Sequence, residues 1–113
     1  MTARANTNQM ALLAAKSQEL VPVLKLLANR NRLLVLCRLA SGGEMPVAAL
    51  ARVVGLSPSA LSQHLGRLRH ERLVTYRREG QTLFYALADD ETARLLHALK
   101  QIYCPEPAAQ STR

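Results

Sequence analysis

Between Pro46 and Arg72 the chain reads P-V-A-A-L-A-R-V-V-G-L-S-P-S-A-L-S-Q-H-L-G-R-L-R-H-E-R, and this stretch restricts the fold more than any other. Apolar residues return at helical spacing on both sides of Gly55-Leu56-Ser57. The segment therefore holds two short helices with a tight break between them, the sequence form of a helix-turn-helix. Gly55 suits the residue that closes the first helix. Ser57 suits the N-cap of the second, and Pro58 fits its first position, where the missing N–H would have had no partner.

At about 100° per residue, Leu61, Leu65 and Leu68 fall in one stripe of the second helix, with Ser59, Gln63 and His70 opposite and Ser62 and Arg67 at the flanks. The outward face is short, polar and uncharged at its start. Ser and Gln side chains hydrogen-bond base edges and phosphates, and Gly66 on the same face leaves room for close approach of a nucleic-acid backbone. His64, on the flank, suits a helix interface or a phosphate contact. A merely solvated amphipathic helix would show the same stripe. The capped turn, the flanking arginines and the hairpin that follows favour groove reading.

The charge agrees. Lys and Arg number 15 against 8 Asp and Glu, a net charge of +7, and 12 of the 15 are Arg. Such an excess implies an anionic partner, and Arg is the residue of bidentate phosphate and guanine contacts. The 113 residues suffice for a single domain with one core, small enough that a partner subunit would help to bury its surface. Leu and Ala supply most of the apolar residues, which favours helix over sheet. No apolar run reaches membrane-spanning length and the start, M-T-A-R-A-N-T-N, lacks a signal peptide's hydrophobic region, so a soluble cytoplasmic protein is expected.

In chain order, residues 1–8 read as a flexible polar lead and 9–104 as the folded domain. Leu13, Leu20, Leu24 and Leu27 form a heptad-like seam on a first helix that Pro22 should kink or divide. Leu33 to Ala40, stopped by Ser41-Gly42-Gly43, is apolar on nearly every side and should be the central helix. Leu73–Arg78 and Gln81–Leu87 alternate with period 2 and read as a β-hairpin with its turn at Glu79-Gly80. Arg77, Arg78 and Gln81 lie near its tip, where a wing beside a recognition helix can reach a phosphate or a minor groove. Asp89-Asp90-Glu91 opens a last helix whose buried stripe is expected at Leu95, Leu99 and Ile102. The tail, 105–113, reads as flexible.

Two cysteines, Cys37 on the central helix and Cys104 at the end of the last, show no zinc-finger or C-x-x-C spacing. A reducing compartment argues against a standing structural disulfide. Cys37 alone would suit a small core hydrophobe. Cys104 falls on the face of His97 and Lys100, away from the expected stripe, and is less easily explained by packing. His64, His70 and His97 are scattered, and no nucleophile-base set, phosphate loop or metal-ligand cluster appears, so neither an enzyme nor a bound cofactor is expected.

Arg30-Asn31-Arg32-Leu33, Leu50-Ala51, the run from Leu56 to Leu65 with Leu68-Arg69, Gly80, and Phe84-Tyr85-Ala86-Leu87 together resemble the ArsR family of bacterial winged helix-turn-helix regulators, over roughly residues 10–104. The resemblance implies a mainly α fold with a small β-hairpin, in the order α-α-α-α-β-β-α. It also implies a homodimer through the first and last helices and repression at an inverted repeat in double-stranded DNA, relieved by an inducer. The expected DNA-binding residues are Ser57, Ser59, Ser62, Gln63, His64, Arg67, Arg77, Arg78 and Gln81. Metal-sensing members carry a C-x-C pair on the central helix, whereas this chain has Leu36-Cys37-Arg38 there. Their last-helix zinc site needs several Asp and His, but His97 stands alone beyond the capping acids. Cys37 with Cys104 instead resembles the dithiol of the reactive-sulfur-sensing branch, the BigR/SqrR/HlyU type. That implies an inducer that is a persulfide or other reactive sulfur donor, and a pair that closes through a di- or polysulfide bridge. A metal-responsive repressor and an unswitched basic DNA-binding protein are the alternatives.

Overall fold

The computed structural model describes residues 3–106. Most of the expected tail, residues 107–113, and the first two residues of the expected lead lie outside the described residues.

Helix α1 (Ala3–Leu27) begins inside the stretch read as a flexible lead and runs without interruption through Pro22. Pro22 therefore does not divide it. The proline removes one N–H, but it lies on an exposed side of the helix, where water can satisfy the carbonyl that loses its partner. Among the side chains of α1 that are described, only those of Leu26 and Leu27, at its end, are buried. Helix α2 (Arg30–Gly42) follows after Asn29, whose side chain accepts the Arg32 N–H at 3.1 Å as an N-cap. A bond of 3.0 Å from Arg32 Nε to the Leu26 carbonyl ties the two helices at their junction. Val35, Leu36 and Leu39 are buried, and α2 touches every other helix and the sheet, so it is the central helix the apolar run implies.

The next element was not expected. Met45–Pro46 forms a two-residue strand, β1, ahead of α3 (Val47–Val54) and α4 (Pro58–His70). Strand β1 pairs with β3 (Thr82–Leu87), which pairs in turn with β2 (Val74–Glu79), giving an antiparallel three-stranded sheet in the order β1-β3-β2. Two residues carry no period, so only pairing partners brought in by the fold could reveal this strand. Pro46 is tolerated because β1 is an edge. The hairpin turn also lies one residue later than expected. Glu79 faces Thr82, leaving Gly80 and Gln81 as the two central residues, and Gly80 takes φ 65°. A glycine with positive φ at the first central position matches the backbone twist of a two-residue hairpin.

Helix α5 (Asp90–Tyr103) starts at Asp89, whose carboxylate accepts the Thr92 N–H at 2.7 Å, and packs along α2. Its buried side is centred on Thr92 and Leu96, with Leu95 and Leu99 half-buried. Ile102, expected in that stripe, is 68% exposed, because the helix has run past the end of its contact with the core. The core is one cluster joining Leu36, Leu50, Leu61, Leu65, Leu68 and Leu96, each with essentially no solvent exposure. No helix among the described residues is long and apolar enough to cross a membrane.

Candidate functional site

Helix α4 is built from its turn outward. Gly55 takes φ 74° and its N–H bonds the Ala51 carbonyl at 2.9 Å, which ends α3 in a left-handed residue that glycine adopts without a Cβ penalty. Ser57 then caps α4 by accepting the Ala60 N–H at 3.1 Å. Leu61, Leu65 and Leu68 bury the inner face, so Ser59, Ser62, Gln63, Gly66 and Arg67 are left exposed on the outer side, with His64 half-buried at the edge. A Cβ added at Gly66 would meet no heavy atom within 4 Å. Nothing inside the protein demands a glycine there.

The wing is braced against this helix. The Arg69 guanidinium lies 4.8 Å from the centroid of the Tyr76 ring, and Tyr76 in turn meets Tyr85 at 5.4 Å with the rings tilted. Burial pushes the Tyr85 phenol up, partly offset by the charge of Arg69. At the hairpin end Arg78 and Gln81 are exposed, and Arg78 makes no ion pair among the described residues.

Arg77 differs from its neighbour. Its Nε and one terminal nitrogen donate to the two carboxylate oxygens of Glu44 at 2.8 and 2.9 Å, its other terminal nitrogen lies 3.4 Å from Glu79, and its guanidinium sits 4.7 Å from the centre of the Phe84 ring. The hydrogen bond from Arg77 holds the Glu44 carboxyl below its usual range, and the same bond raises Arg77. Arg77, expected as a phosphate contact, is thus engaged by its own chain. Sequence reasoning gave no site role to Glu44, Arg69, Tyr76 or Phe84, since each acts here through a partner brought up by the fold.

The two thiols lie at the seam between α2 and α5. Cys37 is half-buried, Cys104 is exposed at the C-cap of α5, and both are free. They line one cavity of about 250 Å³ with Leu33 and Leu34 of α2 and Leu99, Lys100 and Tyr103 of α5. Burial raises the Cys37 thiol above its ordinary value, the Lys100 charge pulls it back, and the proximity of Cys104 adds a further upward push. Among the described residues no three His, Cys, Asp or Glu side chains gather to hold a metal ion.

A capped helix-turn-helix, a recognition helix with a polar outer face and a braced β-hairpin define a winged helix-turn-helix DNA-binding protein. Residues 29–76 match the model of the bacterial regulatory proteins of the arsR family. The transcriptional activator HlyU of Vibrio cholerae is 41% identical over 99 residues, covering 88% of this chain and 88% of that protein. The crystal structure of the transcriptional repressor BigR from Xylella fastidiosa superposes with a TM-score of 0.74 at 33% identity, over 94% of this chain and 100% of that one. A solution structure of a homodimeric winged helix-turn-helix DNA-binding domain from Mycobacterium bovis gives a TM-score of 0.67 at 36% identity, over 88% of this chain and 91% of the other. The chain belongs to the ArsR family: it is a DNA-binding transcriptional regulator and not an enzyme.

Proposed function

We propose that the protein is a cytoplasmic, homodimeric repressor that binds an inverted-repeat operator and releases it when Cys37 and Cys104 are bridged by reactive sulfur. The observation that carries the sensing half is the cavity between α2 and α5 that both thiols line. The persulfide itself supplies the oxidising equivalents that bridging needs. A thiol takes the outer sulfur of a low-molecular-weight persulfide, RSSH, to become Cys–S–SH, and RSH departs. Attack by the second cysteine on the inner sulfur closes a disulfide and releases H₂S. A second RSSH acting as oxidant closes a trisulfide instead, and is itself reduced to RSH and H₂S. Either bridge ties the end of α5 to the central helix.

Dimerisation is supported by apolar side chains that the single chain leaves exposed on α1 and at the end of α5, among them Met10, Leu12 and Leu13 with Ile102 and Tyr103. In a two-fold dimer the recognition helices meet successive major grooves about one helical turn apart. A bridge that shifts α5 alters their spacing and lowers operator affinity. Ser57, Ser59, Ser62, Gln63, His64 and Arg67 read or position the duplex, with Arg78 and Gln81 on the wing.

The test measures operator binding before and after persulfide treatment in wild type, Cys37→Ser and Cys104→Ser, with the modification followed by mass. Release in wild type and retention in both variants is the expected result. Unchanged wild-type affinity despite a bridge seen by mass, or release by either single variant, overturns the paired-thiol switch.

A further inference from the structure

We propose that Glu44 withholds Arg77 from DNA, acting as an internal substitute for a phosphate and setting how much sequence-independent attraction the wing contributes. This inference rests on duplex binding by α4 and the wing, but not on the thiol switch.

The geometry carries it. Arg77 stands one residue before Arg78 and three before the turn at Gly80, in the part of the hairpin where a cation would meet the DNA backbone. A guanidinium engages phosphate through the same planar donor fork that it offers a carboxylate. Here that fork is taken by both oxygens of Glu44, at 2.8 and 2.9 Å. The remaining terminal nitrogen faces Glu79 at 3.4 Å, and the ring of Phe84 lies against the guanidinium.

Glu44 precedes β1 by one residue, and β1 is separated from β2 by β3, so the ion pair spans the three-stranded sheet over Phe84. That is a costly arrangement to explain as stability alone. The side chains of Arg77 and Glu44 are 50% and 38% exposed, and ions that keep much of their hydration gain little by pairing. Its larger consequence is electrostatic. With Arg77 and Arg78 set against Glu44 and Glu79, the wing carries two positive and two negative charges, leaving Arg78 as the cation with no carboxylate partner among the described residues. A wing so paired offers the DNA backbone one free cation rather than two, and base readout by α4 then supplies a larger share of the affinity.

The experiment is a salt titration of binding to a random duplex, by fluorescence anisotropy, with wild type, Glu44→Gln, Arg77→Ala and the double variant. Glu44→Gln should free the guanidinium for one more phosphate and steepen the slope of log K against log salt by about 0.9. The ratio of affinities at 50 and 200 mM salt then grows about 3.5-fold. Arg77→Ala alone should leave the wild-type slope in place, and adding it to Glu44→Gln should abolish the gain. Two results overturn the proposal: an unchanged slope in Glu44→Gln, or a steepening that survives in the double variant, which would reduce the effect to the loss of one negative charge. Absence of wild-type binding to any duplex would instead overturn the DNA-binding reading beneath it.

Discussion

Gly66 offers the sharpest separation of stability from function. A glycine inside a helix costs roughly 1 kcal/mol relative to alanine, because its unfolded backbone is freer and it adds no side chain to the helix surface. The usual justification is a crowded site, but a Cβ at Gly66 meets nothing within 4 Å. Gly66→Ala should therefore stabilise the free protein by about 0.4–1 kcal/mol, a rise in Tm of about 2–4 °C. If the outer face of α4 lies against a DNA backbone, the same methyl group must crowd that contact. Overpacking a fitted surface by one methyl costs roughly 1–3 kcal/mol, which weakens binding about 5- to 150-fold. Thermal unfolding at matched protomer concentration measures the first effect, and anisotropy titration of an operator duplex measures the second. A variant that is more stable and binds DNA as tightly as wild type would refute the placement of this face against the duplex. A less stable variant would refute the open space around Gly66.

Other substitutions probe other links. Gln63→Ala should relax base preference at a cost of roughly 1–3 kcal/mol on the specific site, and an equal loss on random DNA would assign Gln63 a positioning role. Arg78→Ala should weaken binding to all sequences and flatten the salt slope by about 0.9, whereas an unchanged slope would remove this side chain from the interface. In a Cys104→Ser background the alkylation of Cys37, followed by mass, should climb only as pH rises above the ordinary thiol range, since burial disfavours its thiolate. Lys100→Met in that background should slow alkylation at any fixed pH, because the charge that pulls the thiol down is gone; an unaltered profile would sever Lys100 from Cys37. Leu36→Ala, at a position with no solvent exposure in the central helix, should cost about 2–5 kcal/mol by chemical denaturation, and a loss below 1 kcal/mol would contradict its place in the core.

What the sequence by itself determined is whatever local chemistry decides. Gly55 at φ 74° and the Ser57 hydroxyl on the Ala60 N–H are where the text of the chain puts them, because a cap is a contract among neighbouring residues. The same holds for the polar outer face of α4, since helical spacing alone opposes Ser59 and Gln63 to Leu61 and Leu65, and for the identity of α2 as the central helix.

Tertiary structure decided the rest. Pro22 remained inside one helix because it came to lie on a solvated side, and Ile102 lost its expected burial because α5 outruns the core. Strand β1 exists only by pairing with β3. Cys37 and Cys104 share a cavity because α2 packs along α5. Arg77, legible only as one more cation near a hairpin tip, received a carboxylate 33 residues away. No periodicity spans that distance, and the contact forms only once the core has brought the two strands to the same sheet.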